Sequence, residues 1–231
     1  MNELEELSIL AKVSEIAERY EDCIKYMDEI IKKKKEDLTK EEKNIFYNSY
    51  KNIINSKRCS LRNNILIYEK EKKNNSQYML IVENFKTILE NEISDLSKGV
   101  INLITMYLLK KLISEESKVF YLKMRGDYYR YLCEVTNNNE QYVEEAEKNY
   151  KEANDIAQNF PWSLPIKLAL FLNTSVFYFE IKKNANQALK IAKKAIKAVK
   201  KELGKINDEE NKDIANTFQT LKENVTIWDK E

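Results

Sequence analysis

Glycine and proline, the two residues that most often interrupt helices, are scarce in this chain: three glycines and two prolines stand among 231 residues. Inside a helix, glycine costs about 1 kcal/mol and proline about 3 kcal/mol relative to alanine. So few interruptions predict long helices joined by short polar turns. The length is enough for one sizeable core or two small ones. The first expectation is therefore an all-α fold.

Apolar residues recur at helical spacing and predict nine helices that pack as antiparallel neighbours. The expected ranges are about 3–18, 21–35, 39–72, 76–111, 114–136, 140–159, 164–183, 188–203 and 208–228. The breaks between them are only a few residues long, so residues 1–231 are expected to form a single domain. The expected cap residues are Thr39, Ser76, Ser114 and Ser163 at helix starts and Gly204 at a helix end.

Composition argues against several classes of function. With 39 basic and 38 acidic side chains, the chain lacks the basic excess of most nucleic-acid binders. It has no histidine, three cysteines without paired spacing, and no apolar run of about 20 residues. We therefore expect no enzyme activity, no metal or other cofactor, and no contact with nucleic acid or membrane. A reducing cytoplasm is the expected location, with nuclear shuttling left open.

Two cations and a phenol meet in residues 116–131, ESKVFYLKMRGDYYRY. Lys123 and Arg130 are seven apart, or two helical turns, so they share one face of the predicted fifth helix. Tyr131 lies beside Arg130. A guanidinium, an ammonium and a phenol in one place suit a tetrahedral oxyanion such as phosphate. The alternative, which spacing alone favours, is an ordinary solvated face.

The same pattern occurs in residues 50–62, YKNIINSKRCSLR, on the predicted third helix. Lys51, Arg58 and Arg62 are separated by seven and four residues, which again places them on one face. A basic solvated stripe is the competing interpretation here too.

Both runs match one family. Residues 116–131 closely resemble the fifth helix of the 14-3-3 family, the dimeric all-helical readers of phosphoserine and phosphothreonine peptides, and residues 50–62 are similar to its third-helix segment. The resemblance extends from about residue 3 to 229 and implies nine antiparallel helices that form a cup with an amphipathic groove. It implies a phosphate pocket made of Arg58, Arg62, Arg130 and Tyr131, flanked by Lys51 and Lys123.

The resemblance also implies a facing wall on the seventh and ninth helices. In the family, the residue matching Asn173 hydrogen-bonds the ligand backbone and the residue matching Glu180 helps to orient the basic cluster. Without the resemblance, Asn173 would be a partly buried amide, Glu180 a structural ion-pair partner and Trp228 a core aromatic. The implied groove residues on this wall are Leu172, Asn173, Val176, Glu180, Thr220, Asn224, Ile227 and Trp228.

A dimer through the N-terminal helices is a further implication, either with an identical chain or with a related subunit. Arg19 would pair with Glu92 across the interface. Ile88 stands where a lysine is expected opposite Asp22, and Asn64 replaces an apolar residue, so we expect a weaker dimer. The implied interface residues are Val13, Ala17, Arg19, Asp22, Ser60, Asn64, Phe85, Ile88 and Glu92.

The function that the resemblance implies is a signalling adaptor that binds phosphoserine or phosphothreonine segments of client proteins. The alternative is a helical scaffold that binds unphosphorylated peptides. Asn216, Thr217 and Thr220 stand where the family has aliphatic groove residues, so we expect an altered preference beside the phosphosite. The acidic tail common in the family is either absent or lies outside this sequence, which stops soon after Trp228.

Overall fold

A computed structural model of the chain describes residues 2–203 and 212–230. Within these residues there are nine α-helices and no β-strand, which confirms the all-α prediction. None of the described helices has a stretch long and apolar enough to span a bilayer. The helices are α1 (Glu3–Ile16), α2 (Tyr20–Lys33), α3 (Lys40–Lys73), α4 (Met79–Leu103), α5 (Glu115–Val135), α6 (Glu140–Ile156), α7 (Pro165–Glu180), α8 (Ala185–Leu203) and α9 (Lys212–Trp228).

Two of the predicted caps hold the helices that carry the basic residues. At the start of α3, the Glu42 amide donates to Thr39 Oγ1 at 3.2 Å and the Thr39 amide donates to Glu42 Oε2 at 2.7 Å. This reciprocal capping box satisfies two amides that have no partner inside the helix. At the start of α5, Ser114 Oγ accepts from the Ser117 amide at 3.2 Å. Both predictions are confirmed.

The boundaries of α4 differ from the predicted range of 76–111. The helix begins at Met79, and Ser76 lies in the preceding turn, where its hydroxyl accepts from the Tyr78 amide at 3.1 Å. Ser76 is therefore a turn residue rather than the helix cap. At the other end, α4 stops at Leu103 and a single π-helical turn, Ile104–Leu108, follows. An apolar run alone cannot distinguish these two helical forms.

The cap predicted at Ser163 is wrong. Helix α7 begins at Pro165 without a side-chain cap, because proline at the first helical position has its φ angle preset and needs no amide partner. The backbone N–H of Ser163 donates to Glu202 Oε1 at 3.0 Å. The predicted C-cap at Gly204 and the predicted start of the ninth helix at Asp208 lie outside the described residues.

The chain divides into two compact units, Met1–Ile113 and Ser114–Glu231. The first contains α1 to α4, and each of these helices packs against its neighbour in sequence. In the second, α5 packs on α6 and α7, and α7 also contacts α8 and α9. Tyr121, Tyr150 and Phe177 are among the largest fully buried side chains of this second unit. The prediction of one domain over residues 1–231 stays a prediction.

Candidate functional site

A buried carboxylate on α5, Asp127, collects hydrogen bonds from three helices. Lys123 Nζ, one turn earlier on α5, donates to it at 2.9 Å. The Tyr150 hydroxyl on α6 donates at 2.6 Å. The Asn173 amide nitrogen on α7 lies 2.7 and 2.8 Å from its two oxygens. A buried charge is costly unless it is paired and hydrogen-bonded, and these donors meet that requirement.

Arg130, one turn further along α5, is buried and interacts with the Tyr150 hydroxyl and, at longer distances, with three carboxylates. Its guanidinium nitrogens lie 3.4 Å from Glu134, 3.6 Å from Glu180 and 3.8 Å from Asp127. Its Nε has no hydrogen-bond partner among the described residues. The guanidinium stacks over the Tyr131 ring, 4.7 Å from the centroid. Charge-assisted hydrogen bonds are usually about 2.7–2.9 Å long, so Arg130 retains donor capacity for an anion.

The charges of this cluster are fixed by their surroundings. Burial alone would raise the pKa of Asp127, but Lys123, Arg130 and the Tyr150 hydroxyl hold that pKa below its ordinary value. Burial alone would lower the pKa of Arg130, but Tyr150, Tyr131 and Asp127 raise it well above the ordinary value. Both groups therefore stay ionised at neutral pH.

The solvated-face interpretation is wrong for α5. Lys123 is 3% exposed and Arg130 is 6% exposed. Both approach Asp127, at 2.9 and 3.8 Å respectively, so they share one face as their spacing predicts. Lys123 is more deeply buried than the predicted position beside a groove would suggest.

The basic residues of α3 lie in the first unit. Lys51 and Arg62 are exposed, and Arg58 is half-buried. The Lys51 ammonium lies 5.3 Å from the centroid of the Tyr47 ring. The structure of this unit is compatible with both interpretations of the stripe. The grouping of these side chains with Arg130 in one pocket stays a prediction.

Apolar residues of α7 and α9 pack together in the second unit. Leu172 and Val176 are half-buried against the core cluster that contains Trp228. Trp228 is 6% exposed and stacks on Phe179, with ring centroids 4.6 Å apart. It is thus a core anchor of the last helix, the alternative that the sequence left open. Ile227, its neighbour, is 55% exposed.

The polar residues of α9 bond to their own helix. Asn224 is half-buried and Thr220 is exposed. The Thr217 and Thr220 hydroxyls donate to the backbone carbonyls four residues earlier, at 2.8 and 3.0 Å. What each threonine can still offer a ligand is a methyl group and the lone pairs of its oxygen.

Most of the predicted dimer residues are exposed on the first unit. The exposed members are Val13, Ala17, Arg19, Ser60, Phe85, Ile88 and Glu92, and Asp22 is half-buried. Asn64 is buried, and its amide donates to the Val82 carbonyl on α4 at 3.3 Å. Asn64 is therefore hydrogen-bonded within its own chain and is not exposed at the predicted interface.

The charged residues predicted for the interface have partners within the chain. Asp22 accepts hydrogen bonds from Arg19 and Lys25, which hold its pKa below the ordinary value. Glu92 pairs with Lys57 at 2.7 Å. A cross-subunit pair of Arg19 with Glu92 would have to replace both of these contacts.

Sequence reasoning missed Asp127 and Tyr150 as members of the basic cluster. The signal for Asp127 was available, since Lys123 and Asp127 stand in an i, i+4 relation on a predicted helix. Tyr150 had no such signal, because its contact spans 23 residues of chain. A Cβ added to Gly126 would lie 3.0 Å from the Tyr150 ring, so this glycine permits the close approach of α5 and α6.

The described residues hold no group of three histidine, cysteine, aspartate or glutamate side chains arranged to bind a metal ion. Cys23 and Cys133 are buried, Cys59 is exposed, and none is in a disulfide. The anion-binding capacity of this cluster comes from Arg130, which has long ion-pair contacts and an Nε without a hydrogen-bond partner among the described residues.

Comparisons with known proteins give one result along nearly the whole chain. A sequence model of the family described as "14-3-3 protein" matches residues 10–229. The 14-3-3-like protein D of Nicotiana tabacum is 39% identical over 229 residues, which cover 97% of this chain and 92% of that protein. The 14-3-3 protein 2 of Entamoeba histolytica is 38% identical over 232 residues, which cover 99% and 97%. The 14-3-3 protein 10 of Solanum lycopersicum is 38% identical over 230 residues, which cover 97% and 91%.

Proposed function

Because the chain belongs to the 14-3-3 family, whose members are non-enzymatic adaptors that bind client proteins and form dimers, we propose that it binds client segments that carry phosphoserine or phosphothreonine. The observation that carries this proposal is Arg130. It is a buried cation with long ion-pair contacts and an unsatisfied Nε. A buried arginine that is not saturated by carboxylates suits a phosphate, whose oxygens can accept two parallel hydrogen bonds from the guanidinium.

The proposed pocket combines Arg130 and Tyr131 of α5 with Arg58 and Arg62 of α3. Hydrogen bonds to a charged group contribute roughly 1.5–3 kcal/mol each. Three or four of them would make phosphorylation decisive, since micromolar affinity corresponds to about 8 kcal/mol in total. Asn173 would contact the peptide backbone beside the phosphate. Since its amide nitrogen is engaged by Asp127, its carbonyl oxygen is the group best placed to accept a peptide N–H.

The direct experiment is calorimetric titration with a phosphoserine peptide and its unmodified twin. We expect binding of the phosphorylated form and at least roughly tenfold weaker binding of its twin. Equal affinity for the two would refute phosphate dependence and favour the scaffold alternative.

Charge-reversal variants on α3 localise the phosphate contact. Arg62→Glu should remove most of the difference in affinity between the two peptides, and Arg58→Glu should do the same. Lys70→Glu is the matched control, because it changes the same charge at another exposed position of α3. If Lys70→Glu and Arg62→Glu weaken binding equally, the effect is general electrostatics and the pocket is wrongly placed.

For Arg130, which is buried, the conservative variant Arg130→Lys is the safer test. It keeps the positive charge but loses the planar fork that binds two phosphate oxygens at once. We expect weaker phosphopeptide binding with an unchanged circular-dichroism spectrum. Unchanged affinity would remove Arg130 from the proposed pocket.

The α9 wall should alter selectivity next to the phosphate. Thr217 and Thr220 present methyl groups and oxygen lone pairs where the family has aliphatic side chains. We propose that residues able to donate hydrogen bonds are tolerated there better than in the family pattern. A phosphopeptide library that returned the usual apolar preference would contradict this point.

The proposed dimer uses the exposed apolar residues of α1 and α4 in the first unit. Val13 is 57% exposed, and Phe85 and Ile88 are each 52% exposed. The intrachain pairs of Arg19 and Glu92 compete with the predicted cross-subunit pair, which supports a weaker association. Sedimentation at micromolar concentration should therefore detect monomer as well as dimer. A protein that is entirely dimeric on dilution would overturn the weak-dimer proposal.

A further inference from the structure

A cleft runs between α6 and α8 in the second unit, over a face of α7 that the proposed phosphate groove does not use. Its cavity volume is about 680 Å³. At 100° per residue, Phe171, Thr174 and Tyr178 lie on the face of α7 roughly opposite Leu172 and Val176. Phe171 and Tyr178 are half-buried and form an aromatic floor.

The cleft carries an excess of positive charge. The cations that line it are Lys151 from α6 and Lys190 and Lys194 from α8. All three are exposed, and among the described residues they form no ion pair, although the Lys194 ammonium lies 5.7 Å from the centroid of the Phe171 ring. Glu147, the carboxylate that lines the cleft, already accepts the Tyr178 hydroxyl at 2.8 Å and pairs with Lys182 at 3.0 Å. The excess is strongest on the α8 wall, because Glu144, Glu152 and Asp155 line the adjoining depression beside Lys151.

We propose that this cleft binds an acidic peptide segment that carries an aromatic side chain. Lysines on both walls would attract the carboxylates, and the aromatic floor would receive the ring. The lining residues of α6 extend from Glu147 to Asn154, a rise of about 10 Å, which matches about three residues of extended peptide.

An amide group in the cleft suits a peptide backbone. The Asn154 nitrogen donates to the Tyr150 carbonyl at 2.8 Å and to Thr174 Oγ1 at 3.1 Å, which fixes the orientation of its side chain. Its carbonyl oxygen is thereby available to accept a peptide N–H. This site does not depend on the phosphate pocket, so either proposal can fail while the other stands.

The experiment is fluorescence anisotropy of a fluorescein-labelled pentapeptide with a central tryptophan between pairs of aspartates, titrated with the whole protein. We expect saturable binding that the double variant Lys190→Glu, Lys194→Glu weakens roughly tenfold, because two attractions become repulsions. The double variant Lys197→Glu, Lys201→Glu is the matched control: it makes the same change in charge at exposed positions of α8 that do not line the cleft. It should leave binding unchanged.

Three further arms complete the test. A peptide with alanine in place of tryptophan should bind several-fold more weakly, and Arg130→Lys should leave probe binding unchanged. Equal weakening by the two double variants, or no saturable binding, would overturn the proposal. Displacement of the probe by adenosine monophosphate at a comparable concentration would also overturn it, since the cleft would then be a mononucleotide site.

Discussion

Substituting Asp127 with asparagine tests the central electrostatic argument about the second unit. The change keeps the size and shape of the side chain but removes its charge and replaces one acceptor oxygen with a donor group. In the native structure the carboxylate lies 2.9 Å from Lys123, 2.7 Å from Asn173 and 2.6 Å from Tyr150. Lys123 can only donate, so the retained carbonyl oxygen of asparagine would have to face it, while the Tyr150 hydroxyl could turn to accept from the new amide nitrogen; the main loss is therefore the negative charge between Lys123 and Arg130.

The expected loss is about 3 kcal/mol of unfolding free energy. Removing one partner of a buried ion pair typically costs about 3–5 kcal/mol. The lower end of this range applies because asparagine keeps one acceptor oxygen, which can still accept hydrogen bonds from some of the three donors. Since domains of this kind have a total stability of about 5–15 kcal/mol, such a loss would shift the unfolding transition clearly.

Urea unfolding followed by tryptophan fluorescence is the suitable assay. Both tryptophans of the chain, Trp162 and Trp228, belong to the second unit, so their signal reports on that unit. The Lys123→Met variant provides a double-mutant cycle. With the buried ammonium gone, Asp127→Asn should cost at least about 1 kcal/mol less than it does in the native background.

A loss below about 1 kcal/mol would refute the reasoning, and so would an equal loss in both backgrounds. Asp229→Asn, which also lies in the second unit, serves as the control for the chemical change itself. Its ion pair with Lys193 is exposed, so the unfolding midpoint of this variant should stay close to the native value.

Three further predictions concern packing, pH and assembly. Gly126→Ala should destabilise by about 1 kcal/mol, because crowding of the Tyr150 ring at 3.0 Å outweighs the gain in helix propensity, whereas Gly99→Ala, which has nothing within 4 Å, should stabilise by about 0.5–1 kcal/mol. Thermal melting measures both, and a stabilising Gly126→Ala or a destabilising Gly99→Ala would contradict the packing argument. The pKa of Asp127 is lowered from its ordinary value of 3.8, so the native protein should lose stability as the pH falls below 3.8 and through that lowered pKa. In acid unfolding followed by circular dichroism, the stability of the Asp127→Asn variant should fall less steeply with pH. Identical profiles for the two proteins would exclude Asp127 as the cause. Ile88→Lys, which restores the lysine of the family pattern, should shift sedimentation toward dimer, and an unchanged monomer fraction would show that this position does not limit association.

Local signals in the sequence predicted the helices and their starts where the partner is close in the chain. The pair Thr39 and Glu42 is a complete motif within four residues, and it forms as predicted. Ser163 failed because Pro165 starts α7 by itself, and the Ser163 amide finds its partner 39 residues away. Short-range chemistry could be predicted, whereas competition from distant groups could not.

The same distinction applies to the candidate site. The spacing of Lys123 and Arg130 correctly predicted a shared face, but it gave no sign that this face is buried. Burial depends on Tyr150 and Asn173, which are 23 and 46 residues from Asp127. Periodicity identifies which side of a helix is polar, and only packing determines whether that side meets water or another helix.

The carboxylate of Asp127 joins α5, α6 and α7 at a single point. Separation of any one of these helices from the others would expose a buried charge or leave a donor without its acceptor. The three helices should therefore open as one cooperative element, with backbone amides that exchange with deuterium at a common free energy. A ligand that touches only α5 would then slow deuterium uptake in α6 and α7 as well.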